Sequence, residues 1–186
     1  PVRSVMQMRR SLFSPFDTYS FNEKFTLRNF ELEKDADELL ALNKLSFVNL
    51  PDQFSWTKKS LEIRVAESWF DPKGFILLEN EKSELIGFCW TKLHGQHHSH
   101  EQDDGHSHLT HGHVPIGEIY VLGVHPNYQG QGIGKNLTLW GLTHLRRSGI
   151  DSAMLYVDAA NQNAIKLYTS LEFGFWGLDK LYRSLT

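Results

Sequence analysis

The stretch over residues 117–135 reads GEIYVLGVHPNYQGQGIGK and carries most of the information about the fold. Its first part, up to Val124, is an apolar, β-rich run that predicts a strand. A turn follows over residues 125–128, and the closely spaced glycines of residues 129–135 open a predicted helix. Glycines at a helix start leave backbone N–H groups uncovered at the positive end of the helix. The stretch therefore predicts an anion site that suits phosphate, or alternatively a tight turn whose glycines bind nothing.

Three kinds of phosphate-binding loop can be compared with these glycines. A Walker loop requires glycine where Gln129 stands and serine or threonine where Asn136 stands, so this loop is excluded. The dinucleotide fingerprint requires its third glycine where Lys135 stands. The pattern Q/R-x-x-G-x-G/A is matched in full by Gln129, Gly132 and Gly134. In this respect the chain resembles the GCN5-related N-acetyltransferases, whose pyrophosphate loop has that pattern.

A second segment supports the same resemblance. Residues 161–168 read NQNAIKLY, follow a short apolar strand, and are similar to the family's N-x-x-A-x-x-L-Y segment. The family normally completes this segment with Leu-Gly-Phe, whereas Glu172 replaces the glycine here. If position 172 is still left-handed, the glutamate costs about 1 kcal/mol there. The alternative is that the turn has moved to Gly174.

Further strings resemble the mycothiol synthases, a group within this family. They include WTK at residues 90–92, LTLWGL at 137–142 and AMLYV at 153–157, besides the strand of the first stretch. The resemblance implies acetyl transfer from acetyl-CoA to the cysteinyl amine of a cysteine–glucosamine–inositol conjugate, the last step of mycothiol synthesis. Mycothiol synthases have two tandem acetyltransferase domains, and the C-terminal one is catalytic.

The resemblance also implies a division of the chain. Residues 25–186 correspond to one acetyltransferase domain, with a histidine-rich inserted loop at 94–113. Residues 1–24 are interpreted as the last strand of a preceding domain, over Val5–Leu12, plus a linker. An N-terminal tandem domain of the same full-length protein is therefore an expected partner.

Hydrophobic periodicity predicts the order of the elements along the domain. Strands are predicted at 25–30, 75–79, 85–93, 116–124, 153–157 and 173–183, and helices at 34–47, from Thr57, at 132–147 and at 162–171. This order indicates an α+β, or mixed α/β, arrangement around one sheet. The family resemblance implies a central, mostly antiparallel twisted sheet flanked by helices.

Composition excludes several classes of protein. The 186 residues are 40% hydrophobic and 22% charged, as in globular chains. A net charge of -3 gives no general affinity for nucleic acid, and no apolar run approaches the roughly 18 residues of a membrane span. Cys89 is the single cysteine, which rules out a disulfide within the chain. A reducing, cytoplasmic location is therefore expected.

Acetyl-CoA is the co-substrate that the resemblance implies, and no metal is required. In this family the pantetheine arm pairs with a strand, and Leu122, Gly123 and Val124 match that strand segment. The resemblance implies further cofactor-binding positions in the glycine loop, in the next strand and in the helix that follows it. They are Gln129, Gly130, Gln131, Gly132, Ile133, Gly134, Lys135, Tyr156, Asn161, Gln162, Asn163, Ala164, Ile165 and Lys166.

Acetyl transfer to an amine requires a base for the amine and an acid for the departing thiolate. By resemblance, Glu118 binds the acceptor amine and acts as the base, directly or through water. Tyr168 matches the family's general acid. The competing interpretations are a solvated strand carboxylate for Glu118 and a helix aromatic packed on the sheet for Tyr168.

Acceptor contacts rest on two further matches. Asp52 matches an acidic position on the loop between the first two helices, and Lys92 matches a basic residue of the acceptor cleft. Both could equally be solvated charges. Cys89 alternates with apolar neighbours in a strand, so packing is the favoured interpretation of this thiol.

Histidines are concentrated in one segment, since residues 94–113 contain eight of the ten. Imidazoles at short spacing bind Zn²⁺ or Ni²⁺, but the spacing fits no site of fixed geometry. A flexible polar loop with incidental metal affinity is the favoured interpretation. The candidate ligands are His97, His98, His100, His106 and His108.

Three functions follow from these observations. The first is an acetyl-CoA-dependent N-acetyltransferase that acts on the cysteinyl conjugate. The second is an acetyltransferase for another small amine or for a protein N-terminus. The third is a non-catalytic module that binds acetyl-CoA or metal.

Overall fold

The computed structural model describes residues 3–47, 56–95 and 114–181. Within these ranges the strands are β1 (Arg3–Ser11), β2 (Thr26–Asn29), β3 (Phe75–Glu79), β4 (Leu85–His94), β5 (Ile116–Val124), β6 (Ser152–Asp158) and β7 (Gly174–Leu181). The helices are α1 (Leu32–Ser46), α2 (Lys58–Val65), α3 (Ile133–Arg147) and α4 (Gln162–Ser170). Short 3₁₀ turns lie at Pro72–Gly74 and Pro126–Tyr128. From residue 25 onward, these elements confirm the predicted order, with small differences at their ends.

All seven strands form one sheet in the order β2-β3-β4-β5-β6-β1-β7. Every neighbouring pair is antiparallel except β5 and β6, which run parallel. The parallel pair arises because α3 connects these two strands as a crossover. The prediction of an α+β fold with a mostly antiparallel sheet flanked by helices is confirmed.

Alternation along the strands divides the core between the two faces of the sheet. In β3, Ile76 and Leu78 belong to the cluster that packs against α3, whereas Phe75 and Leu77 belong to the cluster beneath α1 and α2. The α1–α2 side also holds Trp90, which stacks on Phe75 with ring centroids 4.3 Å apart. Successive strand residues point to opposite faces of the sheet, so every second side chain of a strand packs against the same layer of helices.

Strand β1 occupies an interior position in this sheet, between β6 and β7. It pairs with β6 over Val5–Ser11. The side chain of Met8, and that of Leu12 just after the strand, are buried in the α3-side core. Residues near the start of the chain therefore complete the core described here. The assignment of residues 1–24 to a preceding domain stays a prediction.

Helix α2 begins as the sequence predicts. Thr57 is its N-cap and accepts a hydrogen bond from the Ser60 backbone N–H, while the Ser60 hydroxyl accepts one from the Thr57 N–H. This reciprocal capping box satisfies two backbone donors that have no helical carbonyl. Because α2 carries few apolar residues, these caps help to fix its start over the sheet.

The turn after α4 is left-handed at Glu172, which is the first of the two alternatives that the sequence left open. Glu172 has a φ of 63°, whereas Gly174 already lies in β7, so the turn has not moved. The glutamate carboxylate lies 3.5 Å from the Arg10 guanidinium, but it is largely exposed, which limits the contribution of this ion pair.

Replacing Glu172 with glycine is expected to raise the free energy of unfolding by up to about 1 kcal/mol, because glycine adopts positive φ without a steric penalty. Denaturant titration of the two proteins measures this difference. Glu172→Gln is the matched control, since it removes the charge but keeps the strain. If Glu172→Gly were no more stable than Glu172→Gln, backbone strain at this turn would be refuted.

In the described ranges, no helix has the length and apolar character required to cross a membrane.

Candidate active site

Strands β5 and β6 separate part of the way along their length. Their parallel pairing covers Gly117 to Ile119 on β5 and Ala153 to Leu155 on β6, and stops there. Beyond this point β5 remains paired with β4 as far as Val124, while β6 remains paired with β1 as far as Asp158. The facing edges of β5 and β6 are therefore left open, with backbone groups available to an extended ligand.

A β-bulge lies where this opening begins. Trp90 pairs with Val121, and Thr91 pairs with Ile119, so Tyr120 is the extra residue on β5. Tyr120 and Val121 both contribute to the core beneath α1 and α2, although they are adjacent in sequence. A bulge of this kind re-aims side chains and bends its strand, which places the opening next to the bulged residue.

The glycine loop lies at the end of β5, as the sequence predicts. Gly130 and Gly132 have φ values of 76° and 80°, and Gly132 is the N-cap of α3. The first amide to donate back into the helix is that of Asn136, to the Gly132 carbonyl. Within the described residues, the amides of residues 132–135 donate to no backbone carbonyl. They form a set of free donors at the positive end of a 15-residue helix.

Helix α4 lies close to the first residues of α3. A Cβ atom placed on Gly134 would lie 3.5 Å from the Leu167 side chain of α4, so the two helices approach closely at this point. Asn161 is the N-cap of α4, and its side chain accepts a hydrogen bond from the Ala164 amide at 3.1 Å. The structure thus brings α4 to the start of α3 through Leu167, and the cofactor contacts expected of residues 161–166 stay a prediction.

Tyr156 lies apart from that group. Its hydroxyl accepts a hydrogen bond of 2.7 Å from the Gln7 side chain of the adjacent β1. Its neighbours Leu155 and Val157 pack in the α3-side core, so alternation puts Tyr156 on the opposite face of the sheet. Tyr156 therefore lies on β6 beside the opening between β5 and β6, on the face away from α3. Its role with the cofactor stays a prediction.

Glu118 lies on β5 at the base of the opening. Its neighbours Gly117 and Ile119 face α3, where they contact Leu145 and Gly141, so Glu118 points to the other face of the sheet. It is 7% exposed, which excludes the interpretation of a freely solvated strand carboxylate. A buried carboxylate beside an open cleft is poised to bind a cationic or proton-donating group.

Lys92 pairs directly with Glu118 across β4 and β5, but the two side chains form no ion pair within the described part of the chain. Its ammonium lies over the ring of Trp69 at 4.3 Å and over Tyr120 at 5.3 Å. Aromatic faces hold a cation by their quadrupole. They therefore keep Lys92 on the α1–α2 face of the sheet, near the carboxylate without neutralising it.

His94 belongs to the sheet and not to the inserted loop. The histidine-rich loop was predicted to begin at His94, whereas the structure places this residue in β4, two residues beyond Lys92. Its Nε2 lies 2.6 Å from Oε2 of Glu118. Alternation of residues 92 and 94 along β4, opposite a glutamate on β5, is the sequence signal that could have identified it.

Tyr168 approaches from the α3 side of the sheet. It is half-buried, packs against the α3-side core, and meets Phe173 edge-on at 5.9 Å. Burial, with a smaller contribution from Cys89, raises the pKa of the Tyr168 hydroxyl. Within the described residues this hydroxyl has no hydrogen-bond partner, so it keeps its proton and remains free to donate it.

Cys89 is fully buried between the sheet and Gly141 of α3. Its strand partner on β5 is Leu122, at the edge of the opening. Burial raises the pKa of the Cys89 thiol, which keeps it protonated and poorly nucleophilic. The position agrees with the favoured packing interpretation.

Several predicted residues lie outside the described ranges. They are Asp52 and the candidate metal ligands His97, His98, His100, His106 and His108. Among the residues that are described, no cluster of three or more His, Cys, Asp or Glu side chains could hold a metal ion.

Comparison with known proteins matches most of the chain to one family. Residues 18–175 match the family model described as the acetyltransferase (GNAT) family. The mycothiol acetyltransferase of Acidothermus cellulolyticus is 46% identical over 180 residues, which cover 97% of this chain and 54% of that protein. The mycothiol acetyltransferase of Thermobispora bispora is 46% identical over 181 residues, which cover 97% of this chain and 57% of that protein. The chain thus spans about half the length of the curated relatives it matches.

Solved structures show the same fold. The crystal structure of a GCN5-related N-acetyltransferase from Sphaerobacter thermophilus superposes with a TM-score of 0.68 at 20% sequence identity. The superposition covers 96% of this chain and 50% of that chain.

Proposed function

The chain belongs to the acetyltransferase (GNAT) family, and from that premise we propose that it transfers acetyl from acetyl-CoA to a primary amine. The observation that carries this proposal is the opening between β5 and β6, with Glu118 buried at its base and free helix amides at its far end. The thioester arm requires an extended slot, which the opening provides. The diphosphate requires an anion site, which the free helix amides provide, and the amine requires a base, which Glu118 provides.

The proposed acceptor is the cysteinyl amine of a cysteine–glucosamine–inositol conjugate. Support comes from the relatives at 46% identity, which are named mycothiol acetyltransferases. Lys92 and Glu118, carried over as acceptor contacts, lie opposite each other on the same face of the sheet. Asp52 is proposed as a further acceptor contact. An N-terminal tandem domain in the full-length protein is part of the same proposal.

The residues of the crevice fit acetyl-CoA. The amides of residues 132–135 would bind the diphosphate, and Lys135, whose ammonium is 3.4 Å from Asp17 and exposed, would add a cation. The open edge of β5 over residues 122–124 would hold the pantetheine arm as an added strand. When bound, the co-substrate supplies an activated acetyl thioester.

The proposed catalytic roles are supported by the placement of Glu118 and Tyr168 on the two faces of the sheet. Glu118 takes a proton from the acceptor ammonium so that the amine can attack the thioester carbon. A backbone N–H of residues 122–124 donates to the acetyl oxygen as negative charge develops there. Tyr168 donates its proton to the departing thiolate sulfur from the α3 side as the C–S bond breaks. The nitrogen loses its second proton to solvent as the amide forms, and the Tyr168 phenolate regains a proton from solvent. These steps require no metal and no covalent intermediate with the protein.

A thiol-release assay tests the proposed function. The protein is mixed with acetyl-CoA and one amine at a time from a panel that holds the cysteinyl conjugate, other amino sugars and a peptide N-terminus. The proposal predicts free CoA and the N-acetylated conjugate, with the highest kcat/KM for the conjugate. A higher kcat/KM for another amine would replace the proposed acceptor but keep the acetyl transfer. Absence of turnover with every amine, despite CoA binding, would indicate a non-catalytic module.

A further inference from the structure

We propose that His94 positions the catalytic carboxylate of Glu118. This inference rests on the proposed function, because it assigns a partner to the base of that reaction. The observation is the 2.6 Å contact between Nε2 of His94 and Oε2 of Glu118. At this separation one of the two atoms must carry a proton, and an imidazole with its proton on Nε2 donates it to the carboxylate.

Strand register brings the two side chains together. Glu118 pairs with Lys92 on β4, and His94 is the next β4 residue on the same face. The contact is therefore the diagonal pair of an antiparallel ladder, which long side chains can span. Because the main chains of β4 and β5 fix both Cα atoms, the imidazole reaches Glu118 from a defined direction.

The carboxylate of Glu118 is buried, so it has few groups to bind other than His94. The side chain of Glu118 is 9% exposed, whereas that of His94 is 34% exposed. Among the described residues, the imidazole is the one hydrogen-bond partner of this carboxylate, since Lys92 instead lies over Trp69 and Tyr120. A bond to Oε2 restricts rotation of the carboxylate and leaves Oε1 without a partner in the described structure. Glu118 can then present Oε1 to the acceptor amine without reorganising first.

The consequence for the reaction is a positioning role. His94 does not touch the reacting atoms, and the amine proton moves to Oε1 of Glu118. Loss of the imidazole leaves the carboxylate free to rotate, so fewer of the bound complexes have the base in place. This change lowers kcat but leaves the binding of acetyl-CoA unaffected, because the glycine loop is at the other end of the opening.

Steady-state kinetics with two substitutions test the proposal, using an amine that the wild-type protein acetylates. His94→Ala is expected to lower kcat by about 10- to 100-fold with an unchanged KM for acetyl-CoA. His94→Gln is expected to recover most of this loss, because its side-chain amide can donate from a position close to that of Nε2. The matched control is His144→Ala, which breaks another histidine–carboxylate contact, the 3.0 Å pair with Asp71 on the α3 side. This control is expected to retain the wild-type kcat.

The proposal is overturned if kcat of His94→Ala stays within about twofold of wild type, or if His94→Gln is as slow as His94→Ala. An equal loss of kcat in the control would overturn it too, because the effect would then be a general loss of structure. NMR separates this proposal from the proposed function, since it requires no reaction. The His94 Nε2 proton is expected to resonate downfield in the wild-type protein and to lose that shift in Glu118→Leu. If no downfield imidazole proton is observed in the wild type, the contact is refuted, whatever the amine assay shows.

Discussion

Replacing Glu118 with glutamine is expected to lower kcat/KM for acetyl transfer by about 10²- to 10⁴-fold. The amide has nearly the shape of the carboxylate but cannot accept the amine proton. It can still accept the hydrogen bond from His94, so the local structure is expected to persist. The acceptor ammonium also loses its anionic partner, so KM for the acceptor is expected to rise while KM for acetyl-CoA stays unchanged.

Initial rates at several acceptor concentrations measure this effect, and a thermal unfolding curve shows that the variant is folded. Glu84→Gln serves as the control, because it neutralises an exposed carboxylate in the turn before β4. Retention of the wild-type kcat/KM in Glu118→Gln would remove Glu118 from the mechanism. The open crevice would then require another base.

Removal of the Tyr168 hydroxyl is expected to lower kcat by about 10²-fold or more, since the departing thiolate then lacks its proton donor. Tyr168→Phe changes one atom in a half-buried side chain whose hydroxyl has no partner within the described residues. The free energy of unfolding is therefore expected to stay the same or to rise slightly. A large loss of rate without a loss of stability would identify a chemical role.

The pKa of Tyr168 also predicts a feature of the pH profile. Burial disfavours the phenolate, so the pKa is raised and the hydroxyl stays protonated at every pH below about 10, the ordinary value for tyrosine. The wild-type kcat should consequently show no loss from Tyr168 ionisation between neutral pH and that value. Tyr19→Phe, a hydroxyl deletion in the segment before β2, is the control and should retain activity. Wild-type kcat in Tyr168→Phe would contradict the assignment.

The fold was largely predictable from local patterns. An apolar, β-rich run located β5 with its observed ends, and the threonine at position 57 located the start of α2. These features depend on neighbouring residues in the sequence, which is why they can be inferred from it. The place of β1 between β6 and β7 could not be predicted this way, because it depends on pairing between residues about 150 positions apart.

The candidate site was predictable only in part, for the same physical reason. Glycine spacing identified the loop before α3, since the need for positive φ is a local property. The contact between His94 and Glu118 depends instead on the register of β4 with β5 and on the bulge at Tyr120. A shift of one residue would place these side chains on opposite faces of the sheet. The register of β4 with β5 cannot be inferred from neighbouring residues in the sequence. His94 was therefore grouped with the histidines that follow it in the chain.

Calorimetric titration with CoA tests most directly whether the glycine loop binds the diphosphate. The wild-type protein is expected to bind one CoA per chain. Gly132→Ala is expected to raise the dissociation constant for CoA by about tenfold, because a Cβ at positive φ displaces the amides that begin α3. Gly149→Ala is the matched control: its φ is +79°, against +80° at Gly132, and it lies beyond the other end of α3, in open space. Unchanged affinity in the control together with the loss in Gly132→Ala is the predicted result. No CoA binding by the wild type, or an equal loss in both variants, would contradict the account.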